Sequence, residues 1–326
     1  MKAIRVHEFG DPEVMKYEDV PAPEPAKGEV LVTQQVIGVN YSDTQYRRGR
    51  YGGGGIEVPF TPGHEGGGTI LEVGEGVTGF QPGDRVIYAG QHRRGTYKEI
   101  MAVDAIALAR VPAGIDFKLA VAILNQGRTA HYLIHDAHPV AEGETVLIHA
   151  AAGGVGSNLV QMAKRRGAYI YATVSTQEKA DYVKDLGADE VILYSQTDFE
   201  AEIKQRTDGK GVEVVFDATG GDVFAKSLRC LARRGHLVTY GQTAGPPPPI
   251  QWPIRELGSI YLSYHTGPDY ARPGEEAAAR DSDLFRWIHE GELKVHVHGE
   301  FRLEDAAKAH EAIESRGTIG KILLMP

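Results

Sequence analysis

The sequence predicts an α/β protein built from a six-stranded, doubly wound parallel sheet and a second, β-rich domain. Three observations support this fold class. An apolar segment beginning at Val146 leads into a glycine-containing turn and then into an amphipathic helix that continues to Lys164. Beyond this helix, apolar segments rich in β-formers alternate with helical patterns. Residues 1–111 differ, because period-two segments there alternate with turns rich in glycine and proline.

The strands of the parallel sheet are expected to be short and almost continuously apolar, because such strands are buried on both faces. We expect them at Val146–His149, Tyr169–Val174, Glu190–Tyr194, Val212–Thr219, His236–Gly241 and Ser259–Tyr264. The connecting segments have helical periodicity, with one helix at Gln177–Leu186 stopped by Gly187, another reaching Arg206 and a third ending near Arg233. This alternation predicts a dinucleotide-binding domain of the Rossmann type over residues 126–265.

The turn HAAAGG, residues 149–154, is typical of a pyrophosphate-binding site at the start of a helix. Small side chains let the phosphates approach the backbone, and the free N–H groups and positive end of the helix hold their charge. A short glycine run alone is weak evidence. The strand and helix pattern that follows it makes the prediction specific.

The end of the second strand indicates which adenosine the domain prefers. A carboxylate there would bind the ribose 2′-hydroxyl, but the sequence has Ser175 and Thr176, followed by Lys179. A lysine–phosphate contact contributes about 1.5–3 kcal/mol, which favours NADPH over NADH about 10- to 100-fold. Ser175 has an alternative role, because STQE has the spacing of a capping box. We expect Tyr194, at the end of the adjacent third strand, to lie near the adenosine.

The C-terminal residues return to the secondary-structure pattern of a mixed domain. They show a helix near Asp283–Glu290, a strand-like KVHVHGEF, a helix at Leu303–Ser315 and an apolar terminal segment. These elements can bury their apolar faces only against the first domain. We therefore expect a catalytic domain split into residues 1–125 and 266–326, with the nucleotide-binding domain inserted. The active site would then lie in the cleft between the two domains.

Several segments, in order along residues 3–324, together carry a family resemblance. They are GVNYSDTQYRRGRY, PGHEGGGTILEVGEGVTGFQPGDRV, QGRTAHYL, HAAAGGVGSNLVQMAK, YATVSTQEK, LGADEVILY, VVFDATGG and ESRGTIGKILL. The chain resembles the zinc-free quinone oxidoreductases, the zeta-crystallin-like branch of the medium-chain dehydrogenase/reductase superfamily. The resemblance implies a GroES-like catalytic domain, a Rossmann domain, NADPH as cofactor, and reduction of quinones or similar electron-poor substrates.

The resemblance also implies roles for individual residues. Family residues matching Asn40, Tyr41 and Tyr46 face the nicotinamide cleft, so we expect these three to form the catalytic pocket, with Asn40 also contacting the cofactor. Amide and phenol groups can donate hydrogen bonds to the charge that develops on a quinone oxygen. The tyrosines have an alternative role as fold residues with satisfied hydroxyls. The further cofactor contacts expected by position are Thr129, Gly153, Gly154, Val155, Gln242, Thr243, Ala244 and Arg316.

Zinc-dependent relatives bind catalytic zinc through a Cys, a His and a further Cys or acidic residue. This chain has one cysteine, Cys230, which excludes a four-thiolate structural site. His64 and Glu65 retain the His–Glu pair of those relatives, but Asn40-Tyr41-Ser42-Asp43 stands where they place the first Cys ligand. We therefore expect no bound metal, and we expect His64 to be a satisfied polar residue near the cleft.

Composition limits the class of partner. The chain has 326 residues and a net charge of −9, so it lacks the overall basic charge that favours nucleic-acid binding. It has no uninterrupted apolar run of membrane-spanning length, and its N-terminal MKAIRVHEF predicts a strand rather than a signal peptide. The lone cysteine suits a reducing cytoplasm. The segment Ser259–Tyr264 would leave an apolar sheet edge, which favours a twofold homodimer.

Two alternative functions stay open on the sequence. The same hydride geometry would reduce activated alkenes such as enals or enones. Some zeta-crystallin-type relatives are lens structural proteins or bind RNA, although the acidic net charge argues against RNA as the main partner. The residues do not distinguish one-electron from two-electron reduction of a quinone.

Overall fold

The computed structural model describes residues 1–50, 55–90, 95–250, 255–270 and 274–326. Its contacts divide the chain into two compact units. Unit 1 comprises Met1–Arg128 and Ala271–Pro326, and unit 2 comprises Thr129–Tyr270. Unit 2 is therefore inserted into the chain of unit 1. The boundaries expected after residues 125 and 265 lie three and five residues before the observed ones.

The described residues form strands β1 Lys2–Val6, β2 Met15–Asp19, β3 Glu29–Val39, β4 Glu65–Val73, β5 Arg85–Ala89, β6 Ile100–Asp104, β7 Leu108–Arg110, β8 Thr145–Ile148, β9 Tyr169–Val174, β10 Glu190–Leu193, β11 Val212–Asp217, β12 Leu231–Thr239, β13 Tyr261–Tyr264, β14 Val297–Arg302 and β15 Lys321–Met325. Their α-helices are α1 Tyr41–Arg47, α2 Phe117–Tyr132, α3 Gly154–Arg165, α4 Gln177–Asp185, α5 Phe199–Arg206, α6 Gly221–Arg229, α7 Gly267–Tyr270, α8 Glu275–His289 and α9 Ala306–Glu314. None of these helices combines the length and apolar character needed to cross a membrane.

Unit 1 is built around a sheet in the order β14-β15-β3-β4-β5-β7, with β6 also paired to β3. The terminal strand β15 runs antiparallel to β3, and Ile322 lies opposite Val39. Ile322, Val39 and Ile37 are buried in one core with apolar residues of α9. The returning tail thus packs on the N-terminal strands, because both contribute apolar side chains to the same core.

Unit 2 contains a six-stranded parallel sheet in the order β10-β9-β8-β11-β12-β13. The predicted α/β fold class with a Rossmann-type sheet is confirmed. The chain order reverses direction between β8 and β11, which are hydrogen-bonded neighbours. In doubly wound sheets, ligands bind at the carboxyl ends of the strands beside such a switch point. Residues that follow β8, β9, β11 and β12 are therefore the candidates for a nucleotide site.

One helix end in unit 2 differs from the prediction. The helix expected to end near Arg233 ends at Arg229, and β12 begins at Leu231 rather than at His236. Leu231 pairs with Val212, so the strand extends back along β11 through an irregular register. The segment LARRGH hides this extension, because its exposed arginines give no apolar alternation for a strand pattern to detect.

Candidate active site and nucleotide-binding edge

The turn between β8 and α3 has the properties of a pyrophosphate cradle. The predicted contact residues Gly153, Gly154 and Val155 are half-buried there, and α3 starts at Gly154. At Gly156 an added Cβ would overlap the carbonyl oxygen of Ala150. Only glycine therefore lets α3 approach the preceding turn this closely, and the backbone N–H groups at the helix start stay available to an anion.

The turn begins at a buried histidine whose two ring nitrogens both form hydrogen bonds. His149 Nδ1 lies 2.9 Å from the Thr173 hydroxyl, and His149 Nε2 lies 2.8 Å from the Ser227 hydroxyl. Ser227 donates its own proton to the carbonyl of Val223, so it accepts from Nε2–H and the Thr173 hydroxyl donates to Nδ1. Burial lowers the pKa of His149 to about 3. The imidazole is therefore neutral and acts as a structural link between β8, β9 and α6.

The ends of β9 and β10 bring together the residues predicted to contact the adenosine phosphate. Leu193 pairs with Val174, and the backbone N–H of Tyr194 donates to the Val174 carbonyl at 3.1 Å. Tyr194 is exposed, Ser175 is half-buried, and Lys179 is only 8% exposed. Burial lowers the pKa of the Lys179 ammonium, against the raising effect of Glu178. A cation in the first turn of α4 with so little exposure to solvent suits an anionic ligand.

The alternative role considered for Ser175, capping the next helix, is wrong. The residue that caps α4 is Thr176, whose hydroxyl oxygen accepts from the backbone N–H of Lys179 at 3.3 Å. The cap shifts by one residue because α4 begins at Gln177. Ser175 is thus not used as the cap, and its predicted contact with the phosphate stays a prediction.

The loops after β11 and β12 pack against each other at the same sheet edge. The N–H of Thr243 donates to the Ala218 carbonyl at 3.0 Å, and that of Ala244 to the Thr219 carbonyl at 2.8 Å. The predicted contacts Gln242, Thr243 and Ala244 are therefore held beside the end of β11. Sequence reasoning missed a neighbour of this loop, the buried carboxylate at the end of that strand.

This carboxylate belongs to Asp217, the last residue of β11. Its oxygens accept from the N–H groups of Thr219 at 2.6 Å and Gly220 at 3.3 Å. Burial raises the pKa of Asp217 to about 6, and these hydrogen bonds reduce the shift. The side chain fixes the start of the loop.

Among the other predicted contacts, Thr129 lies in α2 within unit 2, whereas Arg316 follows α9 in unit 1 with φ 59° and is exposed.

In unit 1, the amide of Asn40 is held by three side chains. Its Nδ2 donates to Glu65 Oε1 at 2.7 Å, and its Oδ1 accepts from Lys321 Nζ at 2.9 Å and from Asn125 Nδ2 at 3.2 Å. Both acceptor positions of Oδ1 are thereby used. Within the described parts of the chain, one Nδ2–H of Asn40 is left over. Asn40 can therefore offer a ligand a donor and cannot accept from it.

The carboxylate of Glu65 is the centre of this cluster. It forms an ion pair with the ammonium of Lys321, and it accepts a hydrogen bond from the backbone N–H of Asn125 at 3.2 Å. Glu65 and Lys321 are 0% and 1% exposed. The sequence did not predict that Glu65 and Lys321 contact Asn40. The sheet order β15-β3-β4 explains the contact, because it brings the first residues of β15 and β4 to the end of β3, which precedes Asn40.

A second buried chain of hydrogen bonds ends at His64. Arg47 Nη1 lies 3.0 Å from His310 Nδ1, and His310 Nε2 lies 3.0 Å from the Tyr97 hydroxyl. Tyr97 donates to Asp43 Oδ2 at 3.2 Å, and Asp43 Oδ1 lies 2.8 Å from His64 Nδ1. Because an arginine only donates, every proton along this chain has one possible place, and His64 must carry a proton on Nδ1.

Burial and neighbouring charges together shift the pKa values of three groups along this chain. Burial lowers the pKa of His310 to about 3, so this imidazole is neutral. Burial alone would raise the pKa of Asp43, but the nearby His64 outweighs it and the pKa lies below its usual range. Burial alone would lower the pKa of His64, but Asp43 outweighs it and the pKa is raised. Each of these two side chains therefore favours the charged form of the other.

The two predicted pocket tyrosines lie on different sides of α1. Tyr41 begins the helix and is half-buried, whereas Tyr46 is 6% exposed. Five residues along a helix turn the side-chain direction by about 140°, so the two rings do not share a face. Gln45 is the residue that shares the Tyr41 face, as i and i+4 do. A match in residue type at Tyr46 does not report which side of the helix its side chain occupies.

The zinc chemistry of the wider superfamily does not fit these side chains. The carboxylate of Asp43 is bound to His64 Nδ1, Lys321 occupies the carboxylate of Glu65, and Cys230 is buried in unit 2 with its thiol pKa raised to about 12 by burial. Of these candidate ligands, only Nε2 of His64 is left for a metal. A zinc site needs at least three convergent ligands in deprotonated form. In the described ranges, no three His, Cys, Asp or Glu side chains are grouped in a way that could hold a metal ion.

Comparison with known proteins shows the family. The model for the alcohol dehydrogenase GroES-like domain matches residues 26–145, and that for zinc-binding dehydrogenase matches residues 186–324. The quinone oxidoreductase of Pseudomonas aeruginosa is 39% identical, over 100% of this chain and 99% of its own length. The 2-haloacrylate reductase of Burkholderia is 36% identical, over 99% and 98%.

A solved structure agrees with these relatives. The structure of the Escherichia coli quinone oxidoreductase complexed with NADPH matches this chain with a TM-score of 0.96, at 37% identity and with 100% of both chains covered. Identity of this size over whole chains confirms the resemblance inferred from the sequence motifs. The chain belongs to the quinone oxidoreductase family of the medium-chain dehydrogenase/reductase superfamily.

Proposed function

We propose that this protein is an NADPH-dependent quinone reductase. The observation that carries the proposal is the carboxyl edge of unit 2, where a glycine turn after β8 lies beside the nearly buried Lys179 after β9. The turn suits the pyrophosphate and Lys179 suits a 2′-phosphate, and this pair of features selects NADPH among nicotinamide cofactors. The full-length quinone oxidoreductase relatives supply the substrate class.

The NADPH contacts follow from the positions in unit 2. Gly153, Gly154 and Val155 would hold the pyrophosphate, while Ser175, Lys179 and Tyr194 would hold the adenosine end. Gln242, Thr243 and Ala244 would lie along the nicotinamide ribose, and Thr129, Asn40 and Arg316 complete the proposed set. When bound, NADPH supplies the hydride, which is the difficult part of the reaction. The protein supplies orientation and exclusion of water.

Asn40, Tyr41 and Tyr46 are the proposed substrate contacts of unit 1. The remaining Nδ2–H of Asn40 suits the negative charge that develops on a quinone oxygen, since the other positions of this amide are fixed by Glu65 and Lys321. A donor that is already oriented costs no reorganisation when the charge appears. Tyr41 is half-buried and can present an aromatic wall, whereas Tyr46 is more deeply buried.

A substrate panel tests the proposed function. Stopped-flow oxidation of NADPH and of NADH is measured with 1,4-benzoquinone and with 9,10-phenanthrenequinone. We expect turnover with quinones and a preference for NADPH of about 10- to 100-fold. A protein that oxidises neither nicotinamide with any quinone would contradict the proposal, as would an activity that requires stoichiometric zinc.

Reduction of activated alkenes is the second candidate function. The specific observation in its favour is the 36% identity to a 2-haloacrylate reductase over nearly the whole chain. Hydride transfer to the β-carbon of an electron-poor alkene places negative charge on a carbonyl or carboxylate oxygen, which Asn40 would stabilise in the same way. Including 2-chloroacrylate and 2-alkenals in the panel decides the ranking, because activity on alkenes alone would reverse it.

We further propose a homodimer in the cytoplasm. Strand β13 is the last strand of the unit 2 sheet, and its Tyr261, Leu262 and Tyr264 are 58%, 44% and 66% exposed. An apolar edge with free backbone groups favours pairing with the same strand of a second copy. Light scattering at micromolar concentration should give twice the 35.4 kDa chain mass.

RNA is not proposed as a partner, and a filter-binding assay showing tight, salt-sensitive RNA affinity would contradict this.

A further inference from the structure

The proposed reaction needs a proton as well as a hydride. Reduction of a quinone to a hydroquinone consumes the quinone, NADPH and one proton, and it yields the hydroquinone and NADP⁺. The hydride brings two electrons and one hydrogen, which leaves one oxygen of the product as an anion. Asn40 can donate a hydrogen bond to such an oxygen, but an amide cannot give up its proton at neutral pH. A titrating group has to supply the proton, or else water does.

In unit 1, His64 is the residue whose hydrogen bonds suit it to supply this proton. The chain from Arg47 through His310, Tyr97 and Asp43 is buried along its whole length, with exposures of 0%, 0%, 0% and 1%. Each of its hydrogen bonds has a fixed direction, and together they fix the His64 proton on Nδ1. The atom left to gain or lose a proton is Nε2 of His64.

The charged groups around His64 come from three elements. Asp43 lies on α1, Glu65 on β4 and Lys321 on β15. Burial opposes the imidazolium form of His64, as does the Lys321 ammonium, whereas the two carboxylates favour it. The carboxylate effect prevails, and the pKa of His64 is raised above its ordinary value. His64 is 7% exposed, in contrast to the 0% of His310 at the other end of the chain.

We propose that Nε2–H of His64 protonates the reduced product, with Asp43 as its positioning residue. This inference rests on the proposed function and names a proton donor for it. The N–H bond of His64 breaks as an O–H bond forms on the hydroquinone anion, and the neutral imidazole then takes a proton from water. With an activated alkene as substrate, the same N–H would protonate the α-carbon or the enolate oxygen.

The test compares His64→Gln with His7→Gln, a matched substitution at an exposed histidine that pairs with Glu18. Turnover with 9,10-phenanthrenequinone and NADPH is measured from pH 5.5 to 9.5, together with the solvent isotope effect on kcat. In the wild type, kcat falls as pH rises through the pKa of His64, because the acid form is lost. In His64→Gln, kcat falls about 10²- to 10⁴-fold, the alkaline limb disappears and the KM for NADPH stays within about threefold. His7→Gln keeps the wild-type profile.

Asp43→Asn provides a second readout that a purely structural role would not produce. It removes the negative charge that raises the pKa of His64, so the alkaline limb should move to lower pH while the protein still turns over. Unfolding midpoints confirm that the compared variants are folded. A His64→Gln enzyme with wild-type kcat and an unchanged pH profile would overturn the inference. A wild-type protein inert towards every quinone and alkene would instead overturn the proposed function, and the inference with it.

Discussion

Lys321 and Glu65 form a fully buried ion pair although 256 positions separate them in the chain. The pairing follows from the sheet order, in which β3 lies between β15 and β4. Lys321 is the first residue of β15 and Glu65 the first residue of β4. The ion pair joins the two separated stretches of unit 1 at the point where Asn40 is held. Stability of unit 1 and orientation of a proposed substrate contact thus depend on the same two charges.

Replacement of Lys321 by Met should therefore destabilise the protein strongly. The variant leaves Glu65 buried without its cation, which costs about 3–5 kcal/mol in the free energy of unfolding. Urea unfolding measures the change. Lys308→Met is the matched control, because Lys308 pairs with Asp305 at 68% side-chain exposure and its replacement should leave the urea midpoint close to that of the wild type. Similar losses in the two variants would contradict the role given to the buried pair.

Lys179 should determine the choice between the two nicotinamide cofactors. In Lys179→Ala we expect the KM for NADPH to rise about 10- to 100-fold, because one charge-assisted contact to the 2′-phosphate is lost. The KM for NADH should change less than about threefold, since NADH has no 2′-phosphate. Steady-state kinetics with both cofactors measures the difference. Lys184→Ala, at an exposed position of the same helix, is the control. Equal effects of Lys179→Ala on NADPH and NADH would exclude the phosphate assignment.

The sequence predicts local elements well where one signal dominates. The six parallel strands were expected within a few residues of their observed positions, because each is a short apolar run between helical patterns. The exception is β12, whose first residues include the exposed Arg233 and Arg234 and carry no apolar signal. The cap of α4 differs by one residue, because Ser175 and Thr176 are both good capping types and only the backbone course distinguishes them.

The candidate site in unit 1 was less predictable, because its contacts join distant parts of the chain. His64 and Asp43 are 21 positions apart, and Tyr97 and His310 are 213 positions apart. No periodicity links such residues. The absence of a cysteine ligand near His64 in the sequence predicts that His64 is a satisfied polar residue, and its Nδ1 contacts Asp43. What the sequence could not supply is the direction of each hydrogen bond, which leaves Nε2 as the titrating atom.

Gly156 should be irreplaceable in the turn before α3. In Gly156→Ala the new Cβ would overlap the Ala150 carbonyl and come within 2.8 Å of the Ala151 Cα, and both are backbone atoms that cannot rotate away. We expect a loss of about 1–3 kcal/mol in stability and at least a tenfold loss of NADPH affinity, because the turn must shift. Fluorescence titration with NADPH measures the affinity. Gly267→Ala is the control, since its Cβ would meet nothing within 4 Å. Unchanged NADPH affinity in Gly156→Ala would contradict the cradle assignment.

Acid should destabilise the protein through His149. Its pKa is about 3 in the folded protein against 6.5 as the ordinary value, so below pH 6.5 the unfolded chain binds more protons. This single group then lowers the free energy of unfolding by about 2 kcal/mol between pH 7 and pH 5. Asp217 has the opposite effect on the free energy of unfolding. Because its pKa is raised to about 6 in the folded protein, the folded chain binds this proton before the unfolded chain does, and acidification stabilises the fold at this group.

A substitution isolates the contribution of His149 from that of Asp217. His149→Gln keeps an acceptor for Thr173 and a donor for Ser227 but cannot be protonated in this range. Urea unfolding at pH 7 and pH 5 gives the loss of stability for each protein. The loss should be about 2 kcal/mol smaller in His149→Gln than in the wild type, whereas the exposed His7→Gln should show the wild-type loss. If His149→Gln and the wild type lose the same stability on acidification, His149 is already protonated in the fold, and its role as a neutral link beneath the phosphate turn is wrong.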